Sequence, residues 1–178
     1  LRGTFTNAYH VHGGAGLGVP LPAPTSKPHT TPAHEFIAAA ASRRRGDLVI
    51  IALGPLTNVA RALKAEPRLT ERVAEMIVMG GAVEVPGNVT PYAEFNIYND
   101  PLAANMVLNS GIPVTLVGLD VTMQTSIARE DEPWVEGESA TARLARRIVS
   151  SRVRSRPPVD EYHLHDPLAV AAAIQPAL

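Results

Sequence analysis

The chain contains no cysteine. That excludes a disulfide framework and a thiolate zinc site, and it accords with a reducing, cytoplasmic setting. Aromatic residues are scarce, at 4% with a single Trp, so no stacking platform for nucleic-acid bases is expected. Neither sign of charge dominates. Sixteen Lys and Arg against 17 Asp and Glu leave a formal net charge of -1, too little to draw the chain toward nucleic acid or an anionic membrane. No apolar run approaches the ~20 residues that a membrane-spanning helix needs. The opening Leu1-Arg2-Gly3-Thr4 has neither an initiator Met nor a signal-peptide core, as expected of a fragment or a processed product. What is present, 178 residues of which 46% are hydrophobic, suffices for a single α/β domain over 1–178 with a real core.

Residues 1–34 are rich in Gly and Pro and read as loop. Ala-rich Glu35 to Arg45 reads as a helix. Asp47 to Leu53 is a short apolar run with β-branched residues, stopped by Gly54-Pro55, and reads as a strand buried on both faces. Leu56 to Lys64 reads as a helix with Thr57 or Asn58 near its start. Met76 to Met79 is a second buried strand, ended by Gly80-Gly81. Asp100 to Asn109 reads as a helix, with Asp100 as N-cap and Pro101 in the first turn. Val114 to Val117 is a third buried strand, Ala140 to Val153 a helix, and Pro167 to Ile174 a last helix. Strands alternating with helices predict a mostly parallel sheet flanked by helices, an open Rossmann-like core.

In such sheets ligands bind beyond the carboxyl ends of the strands. The loop from Gly80 to Asn99 holds Asn88, Glu94 and Asn96 among apolar Val89, Ala93 and Phe95. Carboxylate and carboxamide together suit a ligand rich in hydroxyls. In extended backbone Glu94 and Asn96 would point the same way. The alternative is plain turn chemistry. His163-Leu164-His165-Asp166-Pro167 also has two readings. Asp166 caps the helix that begins at Pro167, or it binds a hard cation beside a proton-donating His165. His10-Val11-His12 is either a His-x-His metal pair or part of a Gly-rich loop. The arginines from Arg143 to Arg156 read as a solvated face.

Leu53-Gly54-Pro55-Leu56-Thr57-Asn58, Val78-Met79-Gly80-Gly81, Gly87-Asn88 with Ala93-Glu94-Phe95-Asn96, Asp100-Pro101, Val117-Gly118-Leu119-Asp120-Val121-Thr122 and His165-Asp166-Pro167 follow one another along the chain. In that order they resemble the inosine-uridine preferring nucleoside hydrolases, from about His12 to about Ile174. The resemblance implies the same α/β fold, hydrolysis of the N-glycosidic bond of ribonucleosides, and Ca2+ as cofactor. It implies ribose binding by Asn88, Glu94 and Asn96, with His12 over the sugar. It also implies calcium ligation by Asp166 and by the backbone carbonyl of Leu53, and His165 as the acid for the leaving base. The family's Asp-rich loop has no counterpart here, so the general base lacks a candidate. The chain alone is expected to bind calcium poorly, turn over little substrate, and expose an apolar edge through which it associates as a homo-oligomer. A nucleoside is the expected partner, with no nucleic acid and no membrane. Two other readings stay open: a non-catalytic nucleoside- or sugar-binding homologue, and a metal-dependent amidohydrolase using His10, His12, His163 and His165, which gives the Glu-x-Asn loop no role.

Overall fold

Helix α1, Ala33–Arg44, follows a stretch from 16 to 32 that forms neither helix nor strand, as its Gly and Pro content requires. A computed structural model of the protein describes residues 7–8, 16–44, 46–128, 137–155 and 161–177. In α1, Glu35 lies in the first turn and Arg43 and Arg44 in the last, so both ends complement the helix dipole. Strand β1, Leu48–Ala52, leads to α2, Thr57–Ala65, and through a 3-10 turn at Pro67–Glu71 to β2, Val73–Met79. Two short helices follow, α3, Phe95–Asn99, and α4, Pro101–Leu108, then β3, Val114–Val117, and α5, Leu119–Thr122. After these come β4, Ser126–Ala128, α6, Ala140–Ser155, β5, Glu161–His163, and α7, His165–Ile174. Among the described residues no helix is long and apolar enough to cross a membrane.

Two compact units divide these elements. One is drawn from the described residues of 28–123 and 165–177, the other from those of 6–27 and 124–164. In the first, β1, β2 and β3 form a parallel sheet in the order β1-β2-β3. Residue alternation then sorts side chains onto two faces. Met76 and Val78 pack with Val59, Ala60, Ala62 and Leu63 of α2 and with Ala103, Ala104 and Val107 of α4. Ile77 and Met79 turn the other way and pack with Val117, Leu119 and Ala169 of α7. Burial of side chains such as Met76, Val78 and Val107 stabilises the unit by about 1.5–3 kcal/mol each.

Only β2 is buried along nearly its whole length. The expectation that all three strands are buried on both faces fails for the outer two. Val49 and Ile51 of β1 are 45% and 38% exposed, and Thr115 and Leu116 of β3 are exposed. The reason is positional: β1 and β3 are the outer strands, and the residues packed with α7 come from β2 and the end of β3. In the second unit β4 pairs antiparallel with β5, and Ile127 and Val149 pack with Tyr162 and Leu164.

Candidate active site

Because the three strands of the first unit run parallel, the residues that follow them emerge at one rim: Leu53 after β1, Gly80 and Gly81 after β2, Gly118 after β3. Gly81 sits at φ 86, the left-handed region that glycine tolerates without strain. Its carbonyl accepts from Leu119 N–H at 2.9 Å. Beyond it, the Asp120 carboxylate accepts from Val83 N–H at 3.0 Å and Glu84 N–H at 2.7 Å. Those two backbone bonds hold its pKa below the ordinary 3.8. The chain next closes a tight loop, with Val89 N–H donating to Ala93 O at 3.1 Å. At Gly87 a side chain would run into the Ala93 backbone.

Glu94 is not on an extended strand with Asn96. It is the N-cap of α3, and the helix begins at the next residue. Its carboxylate, 2% exposed, accepts from Gly81 N–H at 3.0 Å, from Asn96 N–H at 2.9 Å on both oxygens, and from Ile97 N–H at 3.2 Å. A buried carboxylate is thus satisfied by backbone donors from two segments, and it fastens the Gly80-Gly81 turn to the start of α3. Asn96 donates from Nδ2 to Met79 O at 3.1 Å, and its amide oxygen makes no bond among the described residues. The Asn88 Oδ1 accepts from Phe95 N–H at 2.9 Å.

Asp166 and Pro167 lie inside the first turn of α7, which starts at His165 and not at Pro167. Asp166 is therefore not the cap of that helix; Pro is accommodated there because first-turn N–H groups have no helical partner anyway. The residue is exposed overall, yet surrounding protein strips water from its carboxyl group and Glu94 adds like charge. Both raise its pKa above 3.8. Asp166 and Glu94 are hence within electrostatic reach of each other. The half-buried ring of His165 places Nδ1 2.8 Å from the Thr122 hydroxyl. Leu53 is 38% exposed just past β1. His10 and His12 lie outside the described residues. Among those described, no three His, Cys, Asp or Glu cluster as a metal site.

Two ties escaped sequence reasoning. Asp120 and Thr122 both stand in a quoted motif, but their partners lie 36 to 43 residues away, and no local spacing announces them. Asp100 is a cap as expected, accepting from Ala103 N–H at 3.0 Å, and also accepts from the Thr57 hydroxyl at 2.7 Å. Thr57, the first residue of α2 and so near its start as expected, thus also bridges to the cap of α4.

The model of the inosine-uridine preferring nucleoside hydrolase family matches residues 1–178. The chain belongs to that family. It is 40% identical to the probable uridine nucleosidase 1 of Oryza sativa subsp. japonica, over 93% of this chain and 53% of that protein. It is also 40% identical to the pyrimidine-specific ribonucleoside hydrolase RihA of Citrobacter koseri, over 96% of this chain and 56% of that protein. Among solved structures, the plant nucleoside hydrolase PpNRh1 superposes with a TM-score of 0.88 at 34% identity, covering 97% of this chain and 56% of that one. A purine-preferring ribonucleoside hydrolase from Gardnerella vaginalis gives 0.87 at 33%, covering 99% and 59%. The chain spans a little over half the length of the relatives it matches.

Proposed function

We propose that the chain carries the sugar-binding and proton-donating parts of a ribonucleoside hydrolase, which splits the bond between ribose and base with water. One observation carries the reading. At the strand rim, two carboxylates, Glu94 and Asp166, come within Coulombic reach of each other beside a held histidine, His165. The named relatives are ribonucleoside hydrolases or nucleosidases, which supports it. Asn88 and Asn96 are the residues we assign to the ribose hydroxyls, with Glu94 expected to reach the sugar only if it gives up a backbone partner. His12, expected over the sugar, lies outside the described residues. The Asn96 amide oxygen suits a hydroxyl donor, and Glu94, itself committed to backbone amides, fixes the turn that presents it. Breaking the bond leaves its electron pair on the base nitrogen, and His165 supplies the proton that neutralises it.

A cation suits this rim, because partial burial, and after it the like charge of Glu94, raise the Asp166 pKa, and a bound cation would offset both. We assign Asp166 and the Leu53 carbonyl to a Ca2+ shell. Calcium takes six to eight oxygens, so these two are a share of it only. When bound, the ion would orient sugar hydroxyls and water. The test is calorimetric titration of inosine and uridine into the chain with Ca2+ and with EDTA, with ribose release measured in parallel. Binding is expected with Ca2+ only, and Asn96→Ala should weaken it about tenfold, roughly 1.4 kcal/mol. The chain alone should release ribose only slowly, and that slow release should be lost in His165→Asn. No binding of either nucleoside in saturating Ca2+ overturns the reading. Calcium-dependent binding with no ribose released even on prolonged incubation selects the non-catalytic homologue instead.

A further inference from the structure

We propose that Thr122 is a positioning residue for His165: its hydroxyl ties Nδ1 of the imidazole, so that proton exchange at the ring is confined to Nε2. The inference rests on the reading of His165 as the proton donor. Thr122 is wholly buried at the end of α5, and its own N–H donates to Gly118 O at 3.1 Å. A β-branched side chain on a bonded backbone has a stiff χ1, so Oγ1 is a fixed point. The second fixed point is the Cα of His165, set by α7, whose Ala169 and Leu168 pack with Ile77, Met79 and Val117. Between the two, the 2.8 Å Nδ1···Oγ1 contact fixes the ring plane. In the proposed arrangement Nδ1–H donates to the hydroxyl oxygen, which keeps the neutral ring's proton on Nδ1 and leaves exchange to Nε2.

The test is the pair of ring-nitrogen NMR shifts of His165 in the full chain at about pH 8.5, where an ordinary imidazole of pKa ~6.5 is neutral. In the wild type the two shifts should be far apart, the signature of one dominant tautomer. Thr122→Val, nearly the same shape without the hydroxyl, should draw them together toward the mixture of a free imidazole. Thr122→Ser should restore the separation. A bond that merely fastened α7 to α5 would change the unfolding midpoint in Thr122→Val and leave the shifts alone, and that outcome overturns the proposal. If Thr122→Val fails to fold, the wild type and Thr122→Ser still decide: mixed shifts in either overturn it. The tautomer is read without substrate, so a failure of the hydrolase reading shows separately, as undiminished ribose release in His165→Asn.

Discussion

At the scale of single residues, the most informative side chain is Glu94. The sequence suggests a carboxylate offered to a sugar, whereas the fold commits it to four hydrogen bonds from three backbone N–H groups at 2% exposure. Glu94→Gln keeps the shape but replaces one acceptor oxygen by an amide that points its own hydrogens at those donors. The loss of charge-assisted bonds in a buried place should destabilise the chain by about 1–3 kcal/mol. Urea unfolding with an unchanged m-value would measure it. A change below about 0.5 kcal/mol would mean that the carboxylate is not needed by the turn. The role was hidden because reading Glu94 and Asn96 as a same-side pair assumes extended backbone, and the backbone turns helical at Phe95. His165 and Asp166 were legible as a pair, being adjacent, but Thr122 was not, since only the folded chain brings residues 43 apart together.

At the scale of elements, most of the fold was legible because its signals are local. The β-branched runs became β1, β2 and β3, and Asp100-Pro101 opened α4 as its cap and first turn. Pro167 misled by two residues, since a proline in a first turn does not say which position of that turn it holds. Among the non-local ties that hold the loop after β2 is the Asp120 carboxylate on Val83 and Glu84 N–H. Its folded-state pKa lies below the unfolded 3.8, so the folded chain releases this proton more readily. The tie therefore contributes stability above the unfolded pKa, and the contribution is lost as pH falls through the lower, folded value. The amide proton shifts of Val83 and Glu84 should titrate together at acid pH with a midpoint below 3.8. Asp120→Asn should abolish that titration. A midpoint at or above the ordinary value would show that the bonds do not form in solution.

At the scale of the whole molecule, the apolar content of β1 announced that something covers it, though not what. Along β1, Val49 and Ile51 share the face on which Ile77 packs with Ala169 of α7, yet both stand well exposed. Leu53 just beyond is exposed as well, and β1 pairs with β2 alone among the described strands. An outer strand reading Leu-Val-Ile-Ile-Ala, with no proline, lysine or inward charge, lacks the side chains that keep sheet edges apart, and the register shift between Leu48 and Val49 leaves Ile50 to Ala52 regularly paired. A second copy of the chain is the surface always at hand to cover it. Sedimentation velocity should therefore show association that grows with concentration in the micromolar range. Fully burying a Val or Ile is worth about 1.5–3 kcal/mol. Both side chains are already partly covered, so Val49→Lys or Ile51→Lys should each weaken association by about tenfold, or roughly 1.4 kcal/mol. The same substitutions should leave the unfolding midpoint of the monomer nearly unchanged, because exposed positions contribute little to the core. A single monomeric species up to about millimolar concentration, for wild type and variants alike, would show that this edge stays open.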